Sequence, residues 1–265
     1  MKWIILTLVL VPLLSSGQAF REHGAIAWHE IMILRQPNSH SVFHPKLTEM
    51  AASPADKQWL VAGSNPFMIK GLTRLDMHGY QNLEHAAWGL STHLQGGGPV
   101  NSISLSIDYS QMISSHLALG LKIQGSANQW QGYAPQKSGG ITGKLLYRIS
   151  PNTAWTSSIS LDKSGTKGFG SIRKSWTTGI GHTLSKELFI AIQLEKEDDR
   201  DPVLQMLLDW KLDTRFGLQG GINISSGNMM LGGYHDENHH RKGLIFSHHP
   251  LLGYGLEIFF CHGWN

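Results

Sequence analysis

Apolar and polar residues alternate through one segment after another from residue 69 to the end of the chain. In residues 101–111, the sequence NSISLSIDYSQ places Ile103, Leu105 and Ile107 on one face and serines on the other. A spacing of two residues predicts β-strands, because successive side chains of a strand point to opposite faces. Thirteen such segments, separated by Gly, Pro, Asn or Ser, predict one all-β domain over residues 69–265.

The apolar faces of these segments favour lipid over a protein core as their environment. In the segments 116–124, 187–195, 206–213 and 252–260, the apolar face carries large side chains and no charge. The opposite face mixes Gly, Ala, Ser and Gln with few charges, whereas a soluble exterior is rich in Lys and Glu. Most segments have about 10 residues, which is the length of a tilted transmembrane strand. We therefore predict a closed antiparallel transmembrane β-barrel, with a soluble β-fold as the alternative.

The tryptophans support the membrane interpretation. They fall in the apolar register of their segments, and several lie near a segment end, where aromatic side chains mark a lipid–water interface. The predicted interface residues are Trp88, Trp155, Trp176, Trp210 and Trp264.

The number of strands follows from closure. An open sheet edge in lipid leaves backbone amides unpaired, and single-chain barrels of bacteria have even strand numbers. Thirteen segments therefore predict 12–14 strands, in practice 12 or 14. The further strand of a fourteen-strand barrel is expected in residues 126–136 or in the N-terminal part.

The N-terminal part differs from the rest. Lys2, the apolar run that follows it and the small residues before Phe20 predict a signal peptide over residues 1–19. Residues 20–68 are predicted to form an N-terminal segment. Ser53 is a good N-cap and Pro54 suits a first helical position, which predicts a short helix at about residues 54–62.

The chain has a signal peptide, a short helix and then the sequence AGSNPFMIKGLTRLDMHGYQN, which opens a series of strands. In the order of these parts, it resembles outer-membrane barrels of Bacteroidota. These are the PorV and PorQ barrels of type IX secretion, related to FadL-type transporters. Asn65 and Pro66 match the Asn-Pro-Ala signature of that family, and Phe67 replaces its Ala. The resemblance implies a fourteen-strand outer-membrane barrel whose N-terminal segment lies in the lumen as a plug.

The composition limits the classes of partner that the protein is expected to bind. The 22 Lys and Arg against 19 Asp and Glu form no basic run, which argues against nucleic acid as a partner. The single cysteine, Cys261, excludes an intramolecular disulfide. The expected partners are outer-membrane lipid and other secretion or surface proteins.

Charged residues in the polar register are candidates for the lining of a pore, with mutual neutralisation in a plugged barrel as the alternative. They are Arg74, Asp76, Asp108, Lys122, Lys144, Arg148, Asp209, Lys211, Asp213 and Glu257.

Two further groups of residues suggest chemistry only weakly. The histidines and acids of residues 235–240 contain imidazole and carboxylate ligands, but they fall in a polar loop, so no metal or other cofactor is predicted. Ser247 precedes His248, and neighbouring side chains of a strand point to opposite faces, so the pair does not predict an enzyme. A lipid hydrolase is the third alternative.

The function predicted first is a non-enzymatic accessory barrel of a secretion or surface-assembly system in the outer membrane. The alternative is a passive or ligand-gated channel for small or hydrophobic solutes.

Overall fold

The computed structural model describes residues 57–65, 73–82, 86–96, 100–165, 171–198, 200–225, 227–237, 240–250 and 253–264. These residues form a closed antiparallel barrel in which every strand pairs with its neighbours in chain order and β1 pairs with β14. The strands are β1 Lys57–Asn65, β2 Thr73–Asn82, β3 Ala86–Gly96, β4 Val100–Met112, β5 Leu117–Trp130, β6 Gln136–Ser150, β7 Thr153–Gly165, β8 Ser171–Thr183, β9 Leu188–Glu197, β10 Val203–Lys211, β11 Phe216–Asn223, β12 Asn228–Glu237, β13 His240–His249 and β14 Gly253–Trp264.

The fourteen strands confirm the predicted barrel, and the strand missing from the sequence count is β1, in the N-terminal part. The helix predicted at about residues 54–62 is wrong from residue 57 onward, because Lys57–Asn65 hydrogen-bonds along both edges, to β14 and to β2. Capping signals are local, and here the two partner strands override them. The barrel consequently begins at residue 57 instead of 69. The signal peptide and residues 20–56 lie outside the described residues.

The two faces of each strand have different environments. On β4, the side chains of Ile103, Leu105 and Ile107 are 52%, 51% and 57% exposed, whereas Ser106 and Asp108 are buried. Exposed apolar side chains recur in the same register around the barrel, which gives a continuous apolar outer surface. Such a surface is stable in contact with lipid chains, so the polar register faces the lumen. The described residues contain no helix long and apolar enough to cross a bilayer.

The end of the barrel where β1 begins and β14 ends is called the proximal end, and the opposite end the distal end. Residues 126–136 form no further strand, because β5 continues to Trp130 and β6 begins at Gln136. Pairs of inward hydroxyls, such as Ser126 with Ser138, connect these two strands.

The exposed aromatic side chains concentrate near the proximal end. Trp88 pairs with Tyr109 across β3 and β4, and Trp155 pairs with Tyr147 across β7 and β6. Trp210 lies one residue before the proximal end of β10. These positions match one girdle of an outer-membrane barrel. Trp176 is exposed but lies further from the proximal end, and the position of Trp264 is described for its backbone alone.

Candidate functional site

The inward face of β12, β13, β14 and β1 carries an apolar strip. Its members are at most 4% exposed and form one packed cluster with Ala87 of β3. They are Leu60, Ala62, Tyr234, Ile245, Phe259 and Cys261.

Glycines of the neighbouring strands let the large side chains of this strip lie flat against the wall. A Cβ at Gly217 would overlap the ring of Tyr234, and a Cβ at Gly243 would overlap the ring of Phe259. Both glycines face inward and are the direct cross-strand partners of these aromatic residues. The rings therefore cover the barrel wall with apolar surface.

A second apolar cluster lies on the inward face of β7, β9 and β10. It contains Ala154, Phe189, Ala191 and Leu207, and all four are at most 7% exposed. Met230 of β12 packs against this cluster and against the apolar strip. The two clusters are thereby connected along the wall.

The wall formed by β4 to β7 is polar and rich in hydroxyl groups. Ser102 donates to Asn128 Oδ1 at 2.6 Å, and the hydroxyls of Thr142 and Ser160 are 2.9 Å apart. Gln124 Nε2 donates to Asp162 Oδ1 on β7 at 2.8 Å. The lumen thus combines apolar and hydroxyl-bearing walls.

Arg74 and Asp76 of β2 neutralise one another, and His93 of β3 lies against the same carboxylate. Arg74 Nε donates to Asp76 Oδ2 at 2.8 Å, and His93 Nδ1 lies 2.5 Å from Asp76 Oδ1. Arg74 and Asp76 are 5% and 2% exposed. A buried carboxylate is tolerated where it is paired in this way.

A second charged network lies near the proximal end. Asp209, which is fully buried, accepts hydrogen bonds from Tyr234 Oη at 3.0 Å and Gln219 Nε2 at 3.1 Å. Arg241 binds Asp236 through two nitrogens, at 2.5 and 2.6 Å, and its guanidinium lies 4.0 Å from the centre of the Tyr234 ring. The network crosses four strands and ties the polar lumen to the apolar strip.

Nine of the ten charged residues predicted as pore lining lie in the inward register. Arg74, Asp76, Asp108, Lys144, Asp209 and Glu257 are buried there, whereas Lys122, Arg148 and Lys211 are half-buried. The prediction for Asp213 is wrong, because β10 ends at Lys211 and Asp213 lies in the turn before β11. Its carboxylate accepts backbone N–H bonds from Arg215 and Phe216.

Sequence reasoning missed Arg241, which is 2% exposed near the proximal end, and the apolar inward residues Tyr234 and Ile245. The available signal was the mixed character of the segments 228–235 and 242–249, in which neither face is cleanly polar. Alternation assigns apolar residues to lipid, so it fails where apolar residues also line the lumen.

The weak candidates for chemistry are separated by the strands. His235 faces outward against Phe216, while Asp236 faces inward and binds Arg241. Among the described residues, no group of three or more His, Cys, Asp and Glu is arranged to hold a metal ion. Ser247 lies inward opposite Met230, and His248 packs its ring against Tyr254, 4.9 Å away, on the outer face. The sequence neighbours Ser247 and His248 therefore do not form a dyad.

The closed fourteen-strand barrel, its apolar outer surface and its aromatic girdle define an outer-membrane β-barrel. The predicted location in the outer membrane agrees with this architecture. No family model matches the sequence, and no curated protein matches it.

Solved structures similar to this chain are outer-membrane barrels. The toluene transporter TodX of Pseudomonas putida has a TM-score of 0.60 and 10% identity, over 93% of this chain and 98% of TodX. The monoaromatic hydrocarbon channel CymD has a TM-score of 0.56 and 10% identity, over 83% of this chain and 93% of CymD. The Acinetobacter baumannii outer membrane protein Omp33 has a TM-score of 0.51 and 8% identity, over 79% of this chain and 98% of Omp33. This likeness concerns the fold.

Proposed function

We propose that this barrel is a passive channel for small, largely apolar solutes. The observation that carries the proposal is the apolar strip inside the lumen, where a channel for ions or sugars places polar and charged groups. A solute that replaces the contacts now burying Tyr234, Ile245 and Phe259 meets an apolar surface that needs no hydrogen-bonding group in return.

The charged residues of the lumen also support this proposal. Asp76 is held by Arg74 and His93, and Asp236 is held by Arg241, so these charges neutralise one another across or along strands. Paired charges attract a permeating ion less than an unpaired ring of one sign does.

The proposal agrees with the solutes for which two similar barrels are named. TodX and CymD are described as channels for monoaromatic hydrocarbons, and TodX as a toluene transporter. At about 10% identity this gives a solute class to test, because fold alone does not set function.

The test is entry of naphthalene into lipopolysaccharide-bearing cells that lack other hydrocarbon channels. Expression of the full chain is expected to raise the entry rate several-fold. Ile245→Gln places an amide in the apolar strip and is expected to remove most of that gain, because the amide loses water without gaining a partner. Phe246→Leu, on the lipid-facing side of the same strand, is the matched control and should keep it. Equal entry with and without the protein would refute the channel.

The accessory role in type IX secretion, which the family resemblance implies, stays a prediction. It requires partners, so the measurement is co-purification from the outer membrane followed by mass spectrometry. Stable capture of secretion components, together with no solute entry, would favour that role over the channel.

A further inference from the structure

Four inward carboxamides form one row across four neighbouring strands. Gln193 of β9 pairs with Gln205 of β10, Gln205 with Asn223 of β11, and Asn223 with Asn228 of β12. Strands are about 4.8 Å apart, so this carboxamide row covers about 14 Å of the wall. It rises from the middle of β9 to the distal ends of β11 and β12, and none of its members carries a formal charge.

Two polar atoms of the carboxamide row have no hydrogen-bond partner among the described residues. Gln205 is 8% exposed, and its buried Nε2 has no acceptor in that part of the chain. The buried Oδ1 of Asn228, two strands away, has no donor there. Buried side-chain amides are normally paired, so each such atom calls for an explanation. Together they offer one donor and one acceptor along the same wall.

An apolar row lies directly on the proximal side of the carboxamide row. Ala191, Leu207 and Met230 occupy the next inward positions and belong to the second apolar cluster or pack against it. Residues two apart on a strand are separated by about 6.6 Å, which is close to the width of one or two fused rings. A polar group at the carboxamides would thus leave an attached ring against Leu207 and Met230, where the ring replaces contacts that now bury Leu207.

The charged side chains nearest to this place are already paired in part. Glu197, which follows Gln193 along the inward register of β9 toward the distal mouth, lies 2.9 Å from Arg200 and 4.0 Å from Arg173. The carboxamide row itself provides no counter-charge for a desolvated ion of either sign. Both features favour an uncharged ligand.

We propose that the carboxamide row and the apolar row beside it bind a small neutral amphipathic solute. Its hydroxyl or carbonyl group hydrogen-bonds to the carboxamides, with Gln205 Nε2 as the donor, and its apolar body lies on Leu207 and Met230. This inference rests on the proposed channel function and narrows its solute class from hydrocarbons to their hydroxylated or carbonyl-bearing relatives.

The test compares 1-naphthol with naphthalene, which differ by one hydroxyl group. Binding of each compound to the purified full chain in detergent is measured by fluorescence titration. The protein is expected to bind 1-naphthol more tightly than naphthalene. Gln205→Met keeps the length of the side chain, removes the amide, and is expected to weaken 1-naphthol binding about 5- to 10-fold, as one neutral hydrogen bond would. Naphthalene binding should stay within about twofold.

Gln124→Met is the matched control on the polar wall formed by β4 to β7. Gln124 also faces the lumen, but its Nε2 already donates to Asp162. The control variant is expected to leave the ratio of the two affinities unchanged. Gln193→Met serves as the second test variant if Gln205→Met does not give the heat-modifiable gel band of a folded barrel.

Two results would overturn the inference. They are equal affinity of the unmodified protein for both compounds, and an equal change for both compounds in Gln205→Met. Either result leaves the channel itself standing if naphthalene still enters cells. If cells that express the unmodified protein take up naphthalene no faster than cells without it, the result would count against the proposed function instead.

Discussion

Gly217 illustrates how single residues shape the inner wall. Its missing side chain leaves room for the ring of Tyr234, whose hydroxyl then reaches Asp209 at 3.0 Å. The fit requires glycine for space, since the Cβ of any other residue would overlap the ring. Gly217 thus helps to position the Tyr234 ring against the buried carboxylate of Asp209, although glycine has no side chain of its own.

Gly217→Val is therefore expected to destabilise the barrel by about 1–3 kcal/mol, because overpacking forces the ring of Tyr234 away from Asp209. The measurement is urea unfolding of the refolded protein in lipid vesicles. Gly220→Ala on the same strand is the control, because nothing lies within 4 Å of an added Cβ there. If Gly220→Ala lowered the free energy of unfolding as much as Gly217→Val does, the result would contradict this account.

At the scale of the element, β1 shows what a strand contributes beyond its own sequence. Residues 57–65 pair with β14 along one edge and with β2 along the other, so this strand closes the barrel. Its inward residues Leu60 and Ala62 also belong to the apolar strip. Closure and the lining of the lumen therefore depend on the same nine residues.

Val61→Pro is expected to prevent closure. Proline removes a backbone donor and is found in sheets essentially only at edges and bulges, whereas β1 is paired on both sides. The expected result is loss of the heat-modifiable gel band. Val61→Thr keeps the donor and the β-branched shape and should retain the band. A folded Val61→Pro barrel would show that β1 is dispensable for closure.

The turn between β10 and β11 depends on an ionised side chain. Backbone N–H groups of Arg215 and Phe216, 2.6 and 2.7 Å from Asp213 Oδ1, hold the pKa of this carboxyl below its usual 3.8. A pKa that is lower in the folded state stabilises the fold above the unfolded pKa. That contribution is lost as the pH falls through the folded pKa.

Asp213→Ala is accordingly expected to lower the midpoint of the heat-induced gel shift at neutral pH. The difference from the unmodified protein should shrink once the pH falls below about 4, because the carboxyl then takes up its proton. Asp213→Asn retains the accepting oxygen, so its midpoint should lie between those of Asp213→Ala and the unmodified protein. A difference that does not change with pH would indicate a role independent of charge.

At the scale of the whole molecule, the barrel has one apolar surface outside and a divided surface inside. Ile107, near the middle of β4, is 57% exposed on the outer surface, and Ser104 faces the lumen on the same strand. The apolar outer surface is therefore stable in contact with the hydrocarbon chains of lipid.

Ile107→Lys is expected to lower the free energy of folding into vesicles by about 2–4 kcal/mol, the cost of a cation near the middle of the bilayer. Ser104→Lys adds the same charge on the inward face and should cost much less, because it reaches the polar wall of the lumen. The measurement is equilibrium folding in urea with lipid vesicles. Similar costs at both positions would mean that the two faces are assigned incorrectly.

Sequence alone predicted much of this architecture and part of the candidate site. Alternation on β4 placed Ile107 outside and Asp108 inside, because the two-residue period of a strand is a local property. It also placed Asp76 and Asp209 in the lumen. It misplaced Asp213, because the end of a strand depends on where its partners stop pairing.

What the sequence determined was the class of fold: repeated ten-residue alternation with an uncharged apolar face requires a closed sheet in lipid. What only the tertiary structure decided was non-local. Pairing with β14 and β2 turned residues 57–62 from a predicted helix into the closing strand. Side chains from four strands assembled the apolar strip, and four strands aligned the carboxamide row. These features depend on register between strands, and a single strand does not contain its register.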